Sequence, residues 1–323
     1  MKALITGATG FVGNALVDCL LVNGIDILAA VRRESRGLLH SVRQVVVGDL
    51  SVLTKGAMDL SPSIFDSIDV VIHVAARVHI MKDDASDPLA EFRKVNRDAT
   101  LTLARMAAES GVKRFVFLSS IGVNGNQNTK PFSELDKPTP HDLYAISKLE
   151  AEQGLLALAK ETDMEVVIIR PPLVYGKNAP GNFGRLVKWI NKGIPLPFGA
   201  IHNKRSLVAL DNLVDFIALC ADREKSPKAA NQVFLISDNE DVSTTELLQK
   251  VAKAQSKKAW LMPVPVSWMM FVAKLVGKED VANRLFGSLQ VDSSKARELL
   301  GWKPVITMDE QLKKMAKVNE KSI

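Results

Sequence analysis

Tyr144 and Lys148 stand four residues apart in a stretch with helical apolar spacing, which puts a phenol and an ammonium on one helix face. An ammonium beside a phenol favours the phenolate, so the pair could take a proton from an alcohol and return it. Ser120 follows the run 114–118, rich in Phe and Val. Strand C-termini are where doubly wound sheets place ligands, so its hydroxyl could hydrogen-bond the reacting oxygen. Asn96 is a lone amide on an apolar stripe of Phe92, Ala99, Leu103 and Met106. A buried amide must find partners, and this one either ties helix to sheet or holds a water behind Lys148. A second chemistry lies at the N-terminus, where Gly7, Ala8, Thr9, Gly10, Phe11, Val12 and Gly13 link a strand to a helix. Such a loop lets the backbone approach a pyrophosphate, whose charge meets the free amides and positive dipole of the helix N-terminus.

These groups need a scaffold, and the sequence supplies one. Short apolar runs at 3–6, 26–30, 44–47, 70–73, 114–118 and 166–169 alternate with helical patterns, clearest at 11–21, 88–109 and 143–160. That alternation predicts an α/β fold, a Rossmann doubly wound parallel sheet with helices on both faces. Pro88 at a helix start and Gly111 just past its end follow the usual asymmetry of helix termini. After Arg170 the pattern changes to loops marked by Pro171, Pro172, Gly176, Pro180 and Gly181, with helices expected at 183–191, 212–221 and 244–254. We therefore expect a dinucleotide-binding domain over 1–170 and a smaller α/β substrate lobe over 171–323, with a strand near 232–236 returning to the main sheet. The apolar stretch 260–276 is broken by Pro263, Pro265 and Lys274 and is too short to span a bilayer. It is expected to pack as a helix in the C-terminal half, the alternative being a surface that touches membrane or a partner.

The 323 residues are 47% hydrophobic and 24% charged, which excludes a disordered or fibrous chain. The net charge of +6 is spread along the sequence, and no basic run interleaves with aromatics as a nucleic-acid interface would require. Cys19 and Cys220 make neither a disulfide framework nor a metal site. The five histidines, His40, His73, His79, His141 and His202, lack metal-ligand spacing, and His73 is expected inside the sheet, so no metal is implied. The opening MKALITG has none of the features of a secretory signal, and a cytoplasmic setting is the expectation.

The spacing Gly7, Gly10, Gly13 after Thr6 resembles the extended branch of the short-chain dehydrogenase/reductase superfamily, and further landmarks follow in order. Asp49 and Leu50 resemble the adenine-contacting segment, Ala75 and Ala76 the turn after strand four, Ser119 and Ser120 the strand-five serines, and Tyr144 with Lys148 the YxxxK pair. Asn96 resembles the asparagine of the proton relay, and the DSSKARELLGWKP stretch from Asp292 the closing motif of nucleotide-sugar epimerases, dehydratases and reductases. The resemblance implies a catalytic set of Ser120, Tyr144, Lys148 and Asn96. It implies a cofactor site built from Gly7, Thr9, Gly10, Phe11, Val12, Gly13, Asp49, Leu50, Ala75, Ala76, Tyr144, Lys148 and Pro171. On the substrate side it implies Ser120, Asn182, Arg185 and Arg205, with Arg284 a looser member, facing a UDP-sugar.

Arg32 and Arg33 end the second strand where an acid would bind ribose hydroxyls, so they could pair with a 2′-phosphate, which favours NADP over NAD. Two departures narrow the reaction. Ile121 and Gly122 replace the Asp-Glu pair with which the family's dehydratases eliminate water, and Leu173 in RPPLVYG replaces an asparagine that contacts the sugar nucleotide. The expected activity is NADPH-dependent reduction of a UDP-4-keto sugar of the 6-deoxy-N-acetylhexosamine type. The alternative is a UDP-hexose or N-acetylhexosamine 4-epimerase with bound NAD, and the rival from another class is a non-catalytic NADP-binding sensor. The resemblance also implies a homodimer through the helices that start at Pro88 and Leu143.

Overall fold

The computed structural model describes residues 1–52, 62–78 and 87–319; His79 lies outside them. In chain order the elements are β1 (Lys2–Thr6), α1 (Phe11–Val22), β2 (Asp26–Val31), β3 (Arg43–Val46), β4 (Val70–His73), α2 (Pro88–Arg93), α3 (Ala99–Glu109), β5 (Arg114–Leu118), α4 (Leu143–Glu161) and β6 (Glu165–Arg170). The second half adds β7 (Leu173–Tyr175), α5 (Gly181–Asn191), β8 (Leu207–Ala209), α6 (Leu210–Ala221), β9 (Gln232–Leu235), α7 (Thr244–Ala254), α8 (Val266–Leu275), α9 (Glu279–Phe286), α10 (Ser294–Leu300) and α11 (Met308–Asn319).

Seven strands form one parallel sheet in the order β3-β2-β1-β4-β5-β6-β9. Its central strands are apolar on both faces because helices cover both, as a parallel sheet requires. Leu16, Val17, Leu213, Phe216 and Ile217 pack on one face, and Leu103, Ala104, Ala151 and Leu155 on the other. The strand order reverses between β1 and β4, and such a switch point opens a crevice at the strand C-termini. A third core, with Phe183, Leu186, Leu248, Val251 and Leu312, joins β7, β8, α5, α7 and α11 in the second lobe. Phe11, the first residue of α1, touches both this core and that of the sheet.

Local chemistry sets the helix ends. Asp87 caps α2 by accepting from the Ala90 amide at 3.0 Å, Asp142 caps α4 by accepting from Ala145 at 2.8 Å, and Ser243 forms a capping box with Glu246. Two sequence expectations change. The helix expected over 88–109 is continuous but carries a π-helical turn at Lys94–Asp98, where the Asn96 side chain grips the main chain of Arg77. The stretch 260–276 does not pack as an interior helix: α8 has no fully buried residue, and Trp268, Phe271, Val272 and Leu275 are exposed.

Candidate active site

The glycine loop and the turn after β4 meet at the switch point. Gly7 has a φ of +75°, and a Cβ there would lie 2.7 Å from the Ala75 nitrogen; a Cβ on Gly13 would run into the Gly7 carbonyl. Both positions therefore admit only hydrogen, which holds the start of α1 against the end of β1 and the loop against Val74 and Ala75. The Gly10 amide donates to the Gly7 carbonyl at 2.9 Å and closes the turn. No side chain caps α1, so the amides of its first turn, from Phe11 to Gly13, keep their donors for a ligand. Thr9 and Gly10 are exposed at this mouth. A cradle that any Cβ would fill, opening on an uncapped helix N-terminus, fits a dinucleotide pyrophosphate.

At the end of β2, Arg32 and Arg33 are exposed, and Arg32 Nη1 lies 3.8 Å from the Asp49 carboxylate. The Asp49 Oδ1 accepts from the Ser51 amide at 2.8 Å, which is the main reason its carboxyl titrates below the usual range. Leu50 packs against the core beneath the sheet. Arg32 thus already faces a carboxylate where the sequence expectation had it free for a 2′-phosphate.

Across the crevice, β5 ends at Leu118. The Ser119 hydroxyl is buried with no partner among the described residues, and the Ser120 hydroxyl accepts from the Gly122 amide at 3.1 Å. The Ile121 amide donates to the Pro171 carbonyl at 3.0 Å, which ties this turn to the end of β6. A Cβ on Gly122 would touch the Ala145 Cβ at 3.4 Å, so the serine turn lies against the first turn of α4. Tyr144 is the second residue of that helix and meets Phe92 edge to face at 6.3 Å. One turn on, the buried Lys148 ammonium sits 4.0 Å from the centroid of Phe117, whose other neighbour is the buried His73 ring at 5.8 Å.

Burial dominates the titration of this cluster. Desolvation brings Lys148 down to about 7, against which the Glu152 carboxylate acts. Burial, with a contribution from Asp142, pushes the Tyr144 phenol above its usual range. The sequence expectation of a phenol lowered by its lysine is therefore reversed in the chain by itself. His73 is held neutral, its value driven to about 3 by burial and by Lys148, and its ring nitrogens bond Thr6 and Thr100 at 2.6 and 2.9 Å.

Asn96 is buried in the π-turn. Its Oδ1 accepts from the Arg77 amide at 2.8 Å, and its Nδ2 donates to the Arg77 carbonyl and to the Ser147 hydroxyl, both at 3.0 Å. Ser147 in turn donates to the Tyr144 carbonyl at 2.7 Å. Asn96 therefore ties the exit of β4 to the turn of α4 that carries Tyr144 and Lys148.

The lobe reaches the same helix. The Arg205 guanidinium donates to the carbonyls of Arg284 and Gly287, at 2.8 and 3.0 Å, and desolvation lowers its pKa. Arg284 pairs at 3.2 Å with Asp142, the cap two residues before Tyr144. Asn182 and Arg185 stand exposed on the first turns of α5, and no described contact ties them to Tyr144. Sequence reasoning missed the support beneath the site. The buried Arg170 at the end of β6 binds Glu152 at 3.0 Å and Asn124 at 2.9 Å, locking α4 to the sheet one turn below Lys148. The signal was a Lys and a Glu four apart on α4 with an Arg closing the next strand. Among the described residues no group of His, Cys, Asp or Glu could hold a metal.

A doubly wound sheet with a glycine cradle at its switch point and Ser, Tyr and Lys side chains at the neighbouring strand end and helix defines the extended short-chain dehydrogenase/reductase class. Within it the chain belongs to the NAD dependent epimerase/dehydratase family, whose model matches residues 3–236. It is 48% identical to a UDP-glucose 4-epimerase of Vibrio cholerae over 97% of this chain and 94% of that one. Among solved structures it matches UDP-glucose 4-epimerase with UDP-glucose from Thermotoga maritima (TM-score 0.79, 23% identity, 100% and 99% of the two chains). It also matches UDP-glucuronic acid 4-epimerase from Bacillus cereus in complex with NAD (TM-score 0.78, 21% identity, 99% of both).

Proposed function

We propose that the protein is a UDP-sugar 4-epimerase that holds NAD. The observation that carries this reading is the near full-length 48% identity to a protein named for that activity, which favours epimerisation over the one-way reduction expected from the sequence. The Arg32–Asp49 contact and the NAD in a structural neighbour's complex favour NAD over the expected NADP.

NAD, when bound, supplies a hydride acceptor and donor and places a positively charged ring near the substrate. In this reading the Tyr144 phenolate takes the proton of the C4 hydroxyl and later returns it to the C4 oxygen, while C4 of the turned 4-keto sugar would regain its hydride on the opposite face, with no net redox change. Added positive charge favours the phenolate, which offsets the burial that holds the free chain's phenol protonated. Lys148 supplies part of that charge when protonated, Ser120 donates a hydrogen bond to the C4 oxygen, and Asn96 and Asp142 position the helix. Arg205 and Arg284 face the diphosphate. Dimerisation through the helices that start at Pro88 (α2 and α3) and Leu143 (α4) belongs to the same proposal, and sedimentation velocity tests it.

The decisive assay supplies UDP-glucose to the NAD-loaded protein and follows its C4 epimer, with a UDP-4-keto-6-deoxy sugar and NADPH in a parallel cuvette. Epimer formation without cofactor consumption is expected. NADPH oxidation with no epimer would overturn the proposal.

A further inference from the structure

The outward face of α8 repeats Trp268, Phe271, Val272 and Leu275 at helical spacings of three, four and seven, the stripe a globular helix turns inward. Here those four side chains are 71%, 63%, 53% and 70% exposed. The inward face, through Met269 and Val266, is what touches the lobe's core. The segment just before α8 pairs with Leu196 and turns Trp260 and Met262 outward, about half exposed. The Trp189–Ile194 turn, anchored beside that pairing, adds two more exposed apolar side chains. Three of the chain's four tryptophans thus stand at the surface of one lobe.

Charge accompanies this surface. The stretches 166–210 and 247–278 contain no Asp or Glu, in a chain with 36, and together hold more net positive charge than the +6 of the whole. The packing of α5 on α7 brings Arg185 and Lys188 together with Lys250 and Lys253, of which Lys250 is paired with Glu240 and Asp309. Lys177, Lys188 and Lys257 line one open cleft of about 740 Å³ beside Phe183, Val187 and Met315, with no carboxylate among the described residues of its wall. Lys258 lies over the Trp260 ring at 5.1 Å, and Lys274 and Lys278 border the α8 stripe.

We propose that this face docks on an anionic lipid bilayer, with α8 lying in the interface plane. A helix with exposed Trp, Phe and Leu and adjoining lysines has the composition of an interfacial anchor. An aromatic and aliphatic stripe gives a free phosphate nothing to hold, whereas acyl chains cover it. No helix among the described residues is long and apolar enough to cross a membrane, so the attachment is peripheral and reversible. None of the residues named for this face belongs to the candidate site, so this inference does not depend on the proposed epimerase activity.

The test is sedimentation of the NAD-loaded protein with vesicles of phosphatidylglycerol and phosphatidylcholine, and with phosphatidylcholine alone. Binding to the anionic vesicles at least ten-fold tighter, weakened by salt, and tryptophan emission quenched by brominated acyl chains are expected. Each lysine near the surface is worth roughly five-fold in partition, so Lys257→Glu with Lys258→Glu should lower binding by at least about 25-fold. Phe271→Ser with Leu275→Ser should abolish the quenching while leaving turnover and melting midpoint unchanged, since these side chains hold nothing together in the fold. Failure to bind anionic vesicles, or binding unchanged in the serine variant, overturns the proposal. So does a concentration-dependent dimer that the serine variant dissolves without any vesicle binding, because a second copy would then be what covers the face.

Discussion

Replacing Glu152 by Gln removes one charge from beneath the candidate site and leaves its partner in place. The Arg170 guanidinium is 5% exposed and bonds Glu152 through Nε and Nη2 and Asn124 through Nη1. With the carboxylate gone, a buried cation keeps only neutral oxygens. Breaking a buried pair from one side costs about 3–5 kcal/mol, which in a chain of this size lowers the melting midpoint by roughly 5–10 °C. Replacing both partners, as in Glu152→Leu with Arg170→Met, removes the stranded charge and should recover much of that loss. The same Glu→Gln change withdraws the carboxylate that supports the protonated Lys148, so the lysine falls below its value of about 7. The alkaline limb of kcat/KM, which reports on the free enzyme, should then move to lower pH. The assay is urea unfolding of wild type, single and double variants, followed by pH profiles of epimerisation. A single variant within 1 kcal/mol of wild type, or a double variant worse than the single, would refute the reasoning.

Tyr144→Phe should lower turnover by about 10²- to 10⁴-fold with NAD affinity kept, measured by epimer formation and cofactor titration. Gly13→Ala should abolish NAD retention, read from the absorbance of the purified protein, because its methyl occupies the place of the Gly7 carbonyl. Lys148 binds fewer protons folded than unfolded between pH 7 and its ordinary value near 10.5, so stability from this group rises with pH across that window. Unfolding of the ligand-free chain should show that rise, amounting to a few kcal/mol at most, relative to Lys148→Met, and parallel curves would refute it. Arg32→Ala should change NADH affinity by less than about two-fold in fluorescence titration, since among the described residues the exposed arginine pairs with the exposed Asp49 alone.

Most of the sheet was legible because parallel strands covered on both faces read as unbroken apolar runs, and β1, β4, β5 and β6 do. The π-turn between α2 and α3 was not legible, since the apolar period runs through it. Only the grip of Asn96 on Arg77, which is 19 residues away along the chain, makes the π-turn worthwhile. The orientation of α8 was illegible for a related reason. Periodicity reports that a helix has an apolar face and says nothing of which way the lobe turns it.

The site divides along the same physical line. Gly13 and the spacing of Tyr144 to Lys148 are local constraints, set by how closely α1 approaches the Gly7 carbonyl and by one helical turn, so the sequence displays them. The state of charge is not local. Four residues of separation suggested a lysine that lowers the phenol, yet burial under Phe117 and Phe92 moves both groups towards their neutral forms, and that burial is made by elements up to 52 residues distant. The same holds for Arg284, whose use comes from Asp142 on another lobe, 142 residues earlier. A motif thus names the atoms that meet a substrate, while the charge they carry on meeting it is decided by the fold around them; in the proposed reaction that charge is the quantity a bound cofactor would change.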